Sequence, residues 1–265
     1  MRLLMSHLHL VLVSNDHRFS SSGFSCSRDP LIYQRYLLER SRLFIMSFVD
    51  CGTIVKPKCK ASIFIATSQD GFISKLDGSV DWLNQYSAEH LAESEDDGGF
   101  NEFMSSVDAL VMGRKTMDSL ISMATAESDV DNPSFEWPYG KTPVLVLTSR
   151  PTLELPACFP DTVKVVSSTL NNTQTLDPPS IMREVEKVTP GASHVYLDGG
   201  QTIQLFMEPD GIDFIDRVIV TEIPLKLGQG RPFLSQEHWN RLRLCAETWV
   251  FGGKIVQKTF MPFRK

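Results

Sequence analysis

The stretch Ala109-Leu110-Val111-Met112-Gly113-Arg114-Lys115-Thr116-Met117-Asp118-Ser119-Leu120 decides how the chain is read. Its first four residues form an unbroken apolar run, the pattern of a strand buried on both faces. At Gly113 the run stops, and the residues after it have the spacing of a helix's first turns. A strand that passes into a helix through glycine leaves unpaired backbone N–H groups and the positive end of a helix dipole at one corner. An arginine, a lysine and a threonine at that corner make a seat for phosphate.

Working outward, two more strand ends share this character. Thr142 to Leu147 is an apolar strand ending in Thr148-Ser149-Arg150-Pro151, whose two hydroxyls and guanidinium suit a phosphate monoester. His194-Val195-Tyr196-Leu197 is a strand closed by Asp198-Gly199-Gly200, with Gln201 and Thr202 opening a helix that runs to Met207. NADPH carries a pyrophosphate and a separate 2′-phosphate, so three corners on one rim match its charges. Neither a P-loop nor a G-x-G-x-x-G motif occurs.

The remaining elements follow from the same patterning. Ala61 to Thr67 is a central strand that turns at Ser68-Gln69-Asp70-Gly71, and Phe72-Ile73-Ser74 is a short strand. Phe100 to Met104 is helical, Ala124 to Glu136 is loop, and Val163 to Ser167 is a strand. Asn171 to Pro179 is loop, with Ser180 read as N-cap of a helix from Ile181 to Val188. Arg217 to Ile223 is a strand, and Leu242 to Val250 and Lys254 to Phe260 form an antiparallel hairpin around Phe251-Gly252-Gly253. The expected fold is therefore α/β, with a mostly parallel central sheet, flanking helices and a C-terminal antiparallel hairpin. In such sheets ligands collect at the carboxyl ends of the strands.

Composition narrows the function classes. The 265 residues are 42% hydrophobic, ample for a core, and the net charge of -6 disfavours nucleic acid as a partner. Five scattered cysteines (Cys26, Cys51, Cys59, Cys158, Cys245) form no C-x-x-C pair, which fits a reducing cytoplasmic setting and gives no metal site. No apolar run reaches membrane-spanning length. Residues 1–45 differ from the rest, with six arginines, no lysine, three acids and a serine-rich middle, so they carry +3 and residues 46–265 carry -9. An organelle transit peptide, a disordered tail and a stretch upstream of a true start at Met46 all fit that composition. The division expected is an N-terminal extension over 1–45 and one domain over 46–265.

Seven motifs in order resemble the dihydrofolate-reductase-like superfamily. They are Ile65-Ala66-Thr67-Ser68-Gln69-Asp70-Gly71, Val80-Asp81-Trp82-Leu83, Val107 to Thr116, Trp137-Pro138-Tyr139-Gly140, Leu147 to Arg150, Leu197 to Gly200 and Pro224 to Pro232. Within the superfamily, the chain from about Lys60 to Phe260 looks most like the reductase domain of the riboflavin-pathway bifunctional deaminase-reductases and their stand-alone relatives. The resemblance implies an NADPH-dependent reductase acting on an aminouracil-like or pterin-like heterocycle, often as a homodimer. A riboflavin-type reaction on 5-amino-6-(5-phosphoribosylamino)uracil leads, with a folate-type pterin reductase or a non-catalytic NADPH-binding protein as alternatives.

Carried over by position, Gly113, Arg114 and Thr116 would contact cofactor phosphate on one side, and Gly199, Gly200, Gln201 and Thr202 the pyrophosphate on the other. Thr148, Ser149 and Arg150 would hold the 2′-phosphate, with Ala66 and Thr67 near the nicotinamide. Ser68, Asp81 and Trp82 would line the substrate side, and Asp70, then Asp97, would deliver the proton. Plain turn chemistry also accounts for Asp70, and core packing for Trp82. The zinc deaminase motifs H-x-E and P-C-x-x-C are missing, so deamination is not expected. Folate reductases place an acid on the helix after the tryptophan, and none here aligns cleanly with it.

Overall fold

Alternating apolar strands and amphipathic segments assemble, in the computed structural model of the chain, into one eight-stranded sheet with helices on both faces. The structure describes residues 59–264 apart from 93, 127, 130–131, 134–136, 151–152 and 168–175. The expected extension over 1–45 lies outside the described residues, as do parts of the loops read at 124–136 and 171–179.

In chain order the strands are β1 (Lys60–Ser68), β2 (Phe72–Ser74), β3 (Ala109–Gly113), β4 (Ser128–Asp129), β5 (Asn132–Pro133), β6 (Val144–Thr148) and β7 (Val163–Ser167). They continue with β8 (His194–Asp198), β9 (Ile215–Ile223), β10 (Arg231–Pro232), β11 (Leu242–Val250) and β12 (Ile255–Pro262). The α-helices are α1 (Asp81–His90), α2 (Phe100–Ser105), α3 (Arg114–Ala126), α4 (Pro178–Val188), α5 (Gly200–Phe206) and α6 (Gln236–Trp239). Sheet order is β11-β12-β9-β1-β8-β3-β6-β7. The pairs linking β9, β1, β8, β3, β6 and β7 are all parallel, and β12 and β11 add an antiparallel edge. The fold expected from the sequence is thus the fold observed.

Strand β3 shows why its sequence is apolar throughout. Ala109 and Val111 join a cluster with Leu145, Leu197, Ile181 and Phe206, while Leu110 and Met112 join one with Val146, Tyr196, Phe103 and Met117. With a period of two, both faces are buried and no polar position is left.

Several boundaries move for identifiable reasons. Helix α4 begins at Pro178, because Asp177 rather than Ser180 is the N-cap: Asp177 Oδ1 accepts the Ser180 N–H at 2.7 Å. Prolines at the first helical positions cost nothing, since their missing N–H would be unpaired there anyway. Helix α1 carries only a weak apolar stripe, so its periodicity hardly announces it. Tertiary burial of Trp82 and Leu83 against Ile223, Phe251 and Ile255 fixes it. Among the described residues no helix is long and apolar enough to cross a membrane.

Candidate functional site

Parallel pairing puts the carboxyl ends of β8, β3 and β6 side by side. Met112 lies opposite Asp198, and Gly113 opposite Leu147, one residue short of Thr148. All three glycine- or hydroxyl-bearing corners therefore share one rim.

Two of them interlock. Gly199 has φ 88° and ψ 132°, a backbone region that suits glycine, and a Cβ there would collide with Thr116 Oγ1. A Cβ on Gly113 would come within 3.3 Å of Thr202 Oγ1, and one on Gly200 within 2.7 Å of Ile73 Cδ1. The side chains of Thr116, Thr202 and Ile73 thus pack directly on the glycine backbone, and the two helix starts approach closely. Gly113, Thr116, Gly199, Gly200, Gln201 and Thr202 all line one cleft of about 540 Å³. Lys115 and Ser119 line it too. Arg114 does not, because its Nε donates to Asp118 Oδ1 one helical turn on, at 2.7 Å.

The third corner sits beside the cleft rather than in its wall. Thr148 is buried, and its Oγ1 accepts the Arg150 N–H at 3.0 Å, curling the strand end into a turn. Ser167 Oγ donates to the Arg150 carbonyl at 3.1 Å. Ser149 and the Arg150 guanidinium are exposed.

Aromatic and apolar side chains line the same cleft. Phe64 and Ala66 come from β1, Tyr196 from β8, Phe100 from α2, and Val80 and Leu83 from the start of α1. Tyr196 Oη donates to the Phe64 carbonyl at 2.9 Å, which fixes that wall. Thr221 supplies a hydroxyl already bonded to Gln257 Nε2 at 3.0 Å. Asp198 is the one carboxyl lining the cleft among the described residues. Burial pushes its pKa up, and hydrogen bonds from the Tyr139 hydroxyl (3.1 Å to Oδ2) and the Gly199 N–H offset part of that rise. A raised carboxyl in a cleft is a carboxyl that can hold a proton.

A strap closes the rim over Gly200. Strand β2 pairs with β10, and Arg231 donates from Nε and Nη2 to the Leu76 carbonyl at 3.1 and 2.9 Å. Both Arg231 and Pro232 line the cleft, and Gln204 Nε2 ties α5 to the Phe233 carbonyl at 3.1 Å.

The acids read from the sequence have other work. Asp70 does not line the cleft. Its carboxylate accepts from Ser68 Oγ (2.6 Å) and from the N–H groups of Leu227 (3.1 Å) and Gly228 (2.7 Å), clamping the β1 turn to the loop after β9. Partial burial pushes its pKa up, but these hydrogen bonds outweigh burial and leave it below the ordinary aspartate value, the opposite of a proton donor's needs. Ser68 is wholly buried in the same clamp, its hydroxyl also accepting the Phe72 N–H at 3.0 Å. Asp97 lies just ahead of α2, accepting from the N–H groups of its N-cap Gly99 (2.7 Å) and of Asn101 (2.8 Å), and is off the cleft. Asp81 is exposed and paired with Lys75 at 3.0 Å. Trp82 is core, 5% exposed, with its Nε1 unpaired. Thr67 is buried beside Ala66 without reaching the cleft. Asp198, Phe64 and Tyr196 were invisible as site residues in the sequence, where they read as ordinary strand positions. The Asp-Gly-Gly ending of β8 was the one local signal.

The chain is similar to known proteins over most of the described residues. The model for the RibD C-terminal domain matches residues 60–257. The uncharacterized protein YwjB of Bacillus subtilis (strain 168) is 30% identical over 199 residues, which is 75% of this chain and 95% of YwjB. A Shewanella sp. PV-4 protein assigned to riboflavin biosynthesis has a solved structure that superposes with a TM-score of 0.58 at 30% identity, over 77% of this chain and 99% of that one. RibD of Acinetobacter baumannii shares the fold, with a TM-score of 0.51 at 15% identity over 78% of this chain and 58% of that one.

Proposed function

This chain belongs to the RibD C-terminal domain family, and we propose that it is an NADPH-dependent reductase of a small heterocycle, aminouracil-like or pterin-like. The observation that carries the proposal is the interlock of the Gly113–Thr116 and Gly199–Thr202 corners in one cleft. A pyrophosphate needs bare backbone N–H groups, hydroxyls and local cations on an acidic body. Gly200 and Gln201 at the start of α5 offer the first, Thr116 and Thr202 the second, and Lys115 and Arg231 the third. Arg150 and Ser149 stand on the same rim to take a 2′-phosphate. The residues present therefore fit the cofactor. When bound, the reduced nicotinamide supplies hydride to a C=N or C=O carbon.

The chain's own residues do the rest. Phe64, Phe100 and Tyr196 give a planar ring an aromatic slot and exclude water from it. Asp198 holds the proton that balances hydride addition, because it is the cleft's carboxyl and its pKa is raised. A riboflavin-type reaction is favoured over a folate-type one, since α1 presents the cleft with Val80 and Leu83 rather than an acid. We also propose a homodimer, supported by Leu244 and Trp249, which stand 53% and 65% exposed on the terminal hairpin. Light scattering in solution reads that state directly.

The test is a titration of the purified protein with NADPH, followed by cofactor fluorescence, with NADH as control and then a panel of aminouracil and dihydropterin substrates. Saturable, NADPH-selective binding with turnover on one panel is expected. Absence of saturable binding by either dinucleotide would remove the reductase reading, and binding without turnover on any panel would leave a dinucleotide-binding protein instead.

A further inference from the structure

We propose that Tyr139 is the positioning residue for the cleft acid: its hydroxyl, held rigidly against Oδ2 of Asp198, sets how readily that carboxyl gives up its proton. The inference rests on the reading of Asp198 as the proton donor. Tyr139 lies in the Trp137-Pro138-Tyr139-Gly140 segment ahead of β6 and is only 3% exposed. Its Oη reaches across to β8 and donates to Asp198 Oδ2 at 3.1 Å. The ring is wedged by Trp137, edge to face at 5.4 Å, and Trp137 in turn packs on Phe159 at 4.8 Å. A phenol held this way has little freedom to point elsewhere.

The chemistry follows from counting donors. Burial, and next the Asp198 charge, push the Tyr139 hydroxyl well above its ordinary pKa, so it stays protonated and brings its single hydrogen to the contact. The Asp198 carboxyl thus has two donors, the Tyr139 hydroxyl at Oδ2 and the Gly199 N–H. The Tyr139 bond favours the ionised carboxylate and opposes the effect of burial. Tyr139 therefore orients the Asp198 carboxyl and keeps the acid from becoming too weak to give the proton up.

The experiment reads Asp198 itself, without substrate or cofactor. The protonated-carboxyl stretch of the intact protein is followed by infrared difference spectroscopy as pH is varied, and the band is assigned by its loss in Asp198→Asn. In Tyr139→Phe the midpoint is expected to rise by about half to one pH unit, the size of one neutral hydrogen bond. Site-specific 3-fluorotyrosine at position 139 keeps the side chain's shape and donates more strongly, so it should lower the midpoint. That variant also serves if Tyr139→Phe does not fold. An Asp198 band whose midpoint ignores the change at 139 overturns the positioning role while leaving the donor reading intact. No Asp198 band at any pH overturns the donor reading, and this inference with it.

Discussion

Replacing Gly199 with alanine tests the geometry on which the proposed cofactor site depends. Two separate costs are built into that position. The first is conformational: φ 88° with ψ 132° is strained for any L side chain, at about 1–3 kcal/mol. The second is steric, because the new methyl would overlap Thr116 Oγ1, and overpacking costs about 1–3 kcal/mol more. Gly199→Ala should therefore lose about 2–6 kcal/mol in urea unfolding. Thr116→Ala introduced alongside removes the overlapped oxygen but leaves the backbone strain. The double variant should thus recover about 1–3 kcal/mol of the loss, an interaction readable as a double-mutant cycle. NADPH affinity should fall at least about tenfold in the single variant, equivalent to about 1.4 kcal/mol, as the two helix starts are pushed apart. A Gly199→Ala protein within about 0.5 kcal/mol of the parent, a typical surface substitution, or a double variant with no recovery, would show that these corners do not interlock.

Arg150→Ala should cost NADPH roughly 10- to 100-fold in affinity, the loss of one charge-assisted hydrogen bond of about 1.5–3 kcal/mol, and leave NADH unchanged. Fluorescence titration with both dinucleotides checks it, and equal losses would place the 2′-phosphate elsewhere. Asp70→Asn should lower Tm, with turnover and NADPH affinity falling together; a loss of turnover at unchanged Tm would return Asp70 to the chemistry. Because the folded pKa of Asp70 is depressed, its stabilisation is complete above the ordinary aspartate value of about 3.9 and disappears as pH falls through the lower folded value. The Asn variant should lack that part of the acid dependence in a pH series of Tm. Asp97→Ala removes two hydrogen bonds to the start of α2 and should cost about 0.5–2 kcal/mol of stability with turnover retained. Turnover lost in a fully folded Asp97→Ala protein would contradict its placement off the cleft.

By itself the sequence determined the sheet and the rim. Strand β3 has no polar position because both its faces are buried, and the glycines at 113, 199 and 200 mark local backbone needs that leave a trace in residue type. Parallel order then brings the three corners to one side, as alternating strands and helices require. The acids were a different matter. Asp70, Asp81 and Asp97 look alike in sequence, and each spends its carboxylate on a nearby turn, cation or helix start. Asp198 looks like the end of a strand. Only the tertiary structure half-buries it, sets it across from a tyrosine 59 residues earlier, and places it in one cleft with Phe64, Phe100 and Tyr196. A pKa shift arises from desolvation and from partners distant in the chain, and neither has a local pattern that residue order could display.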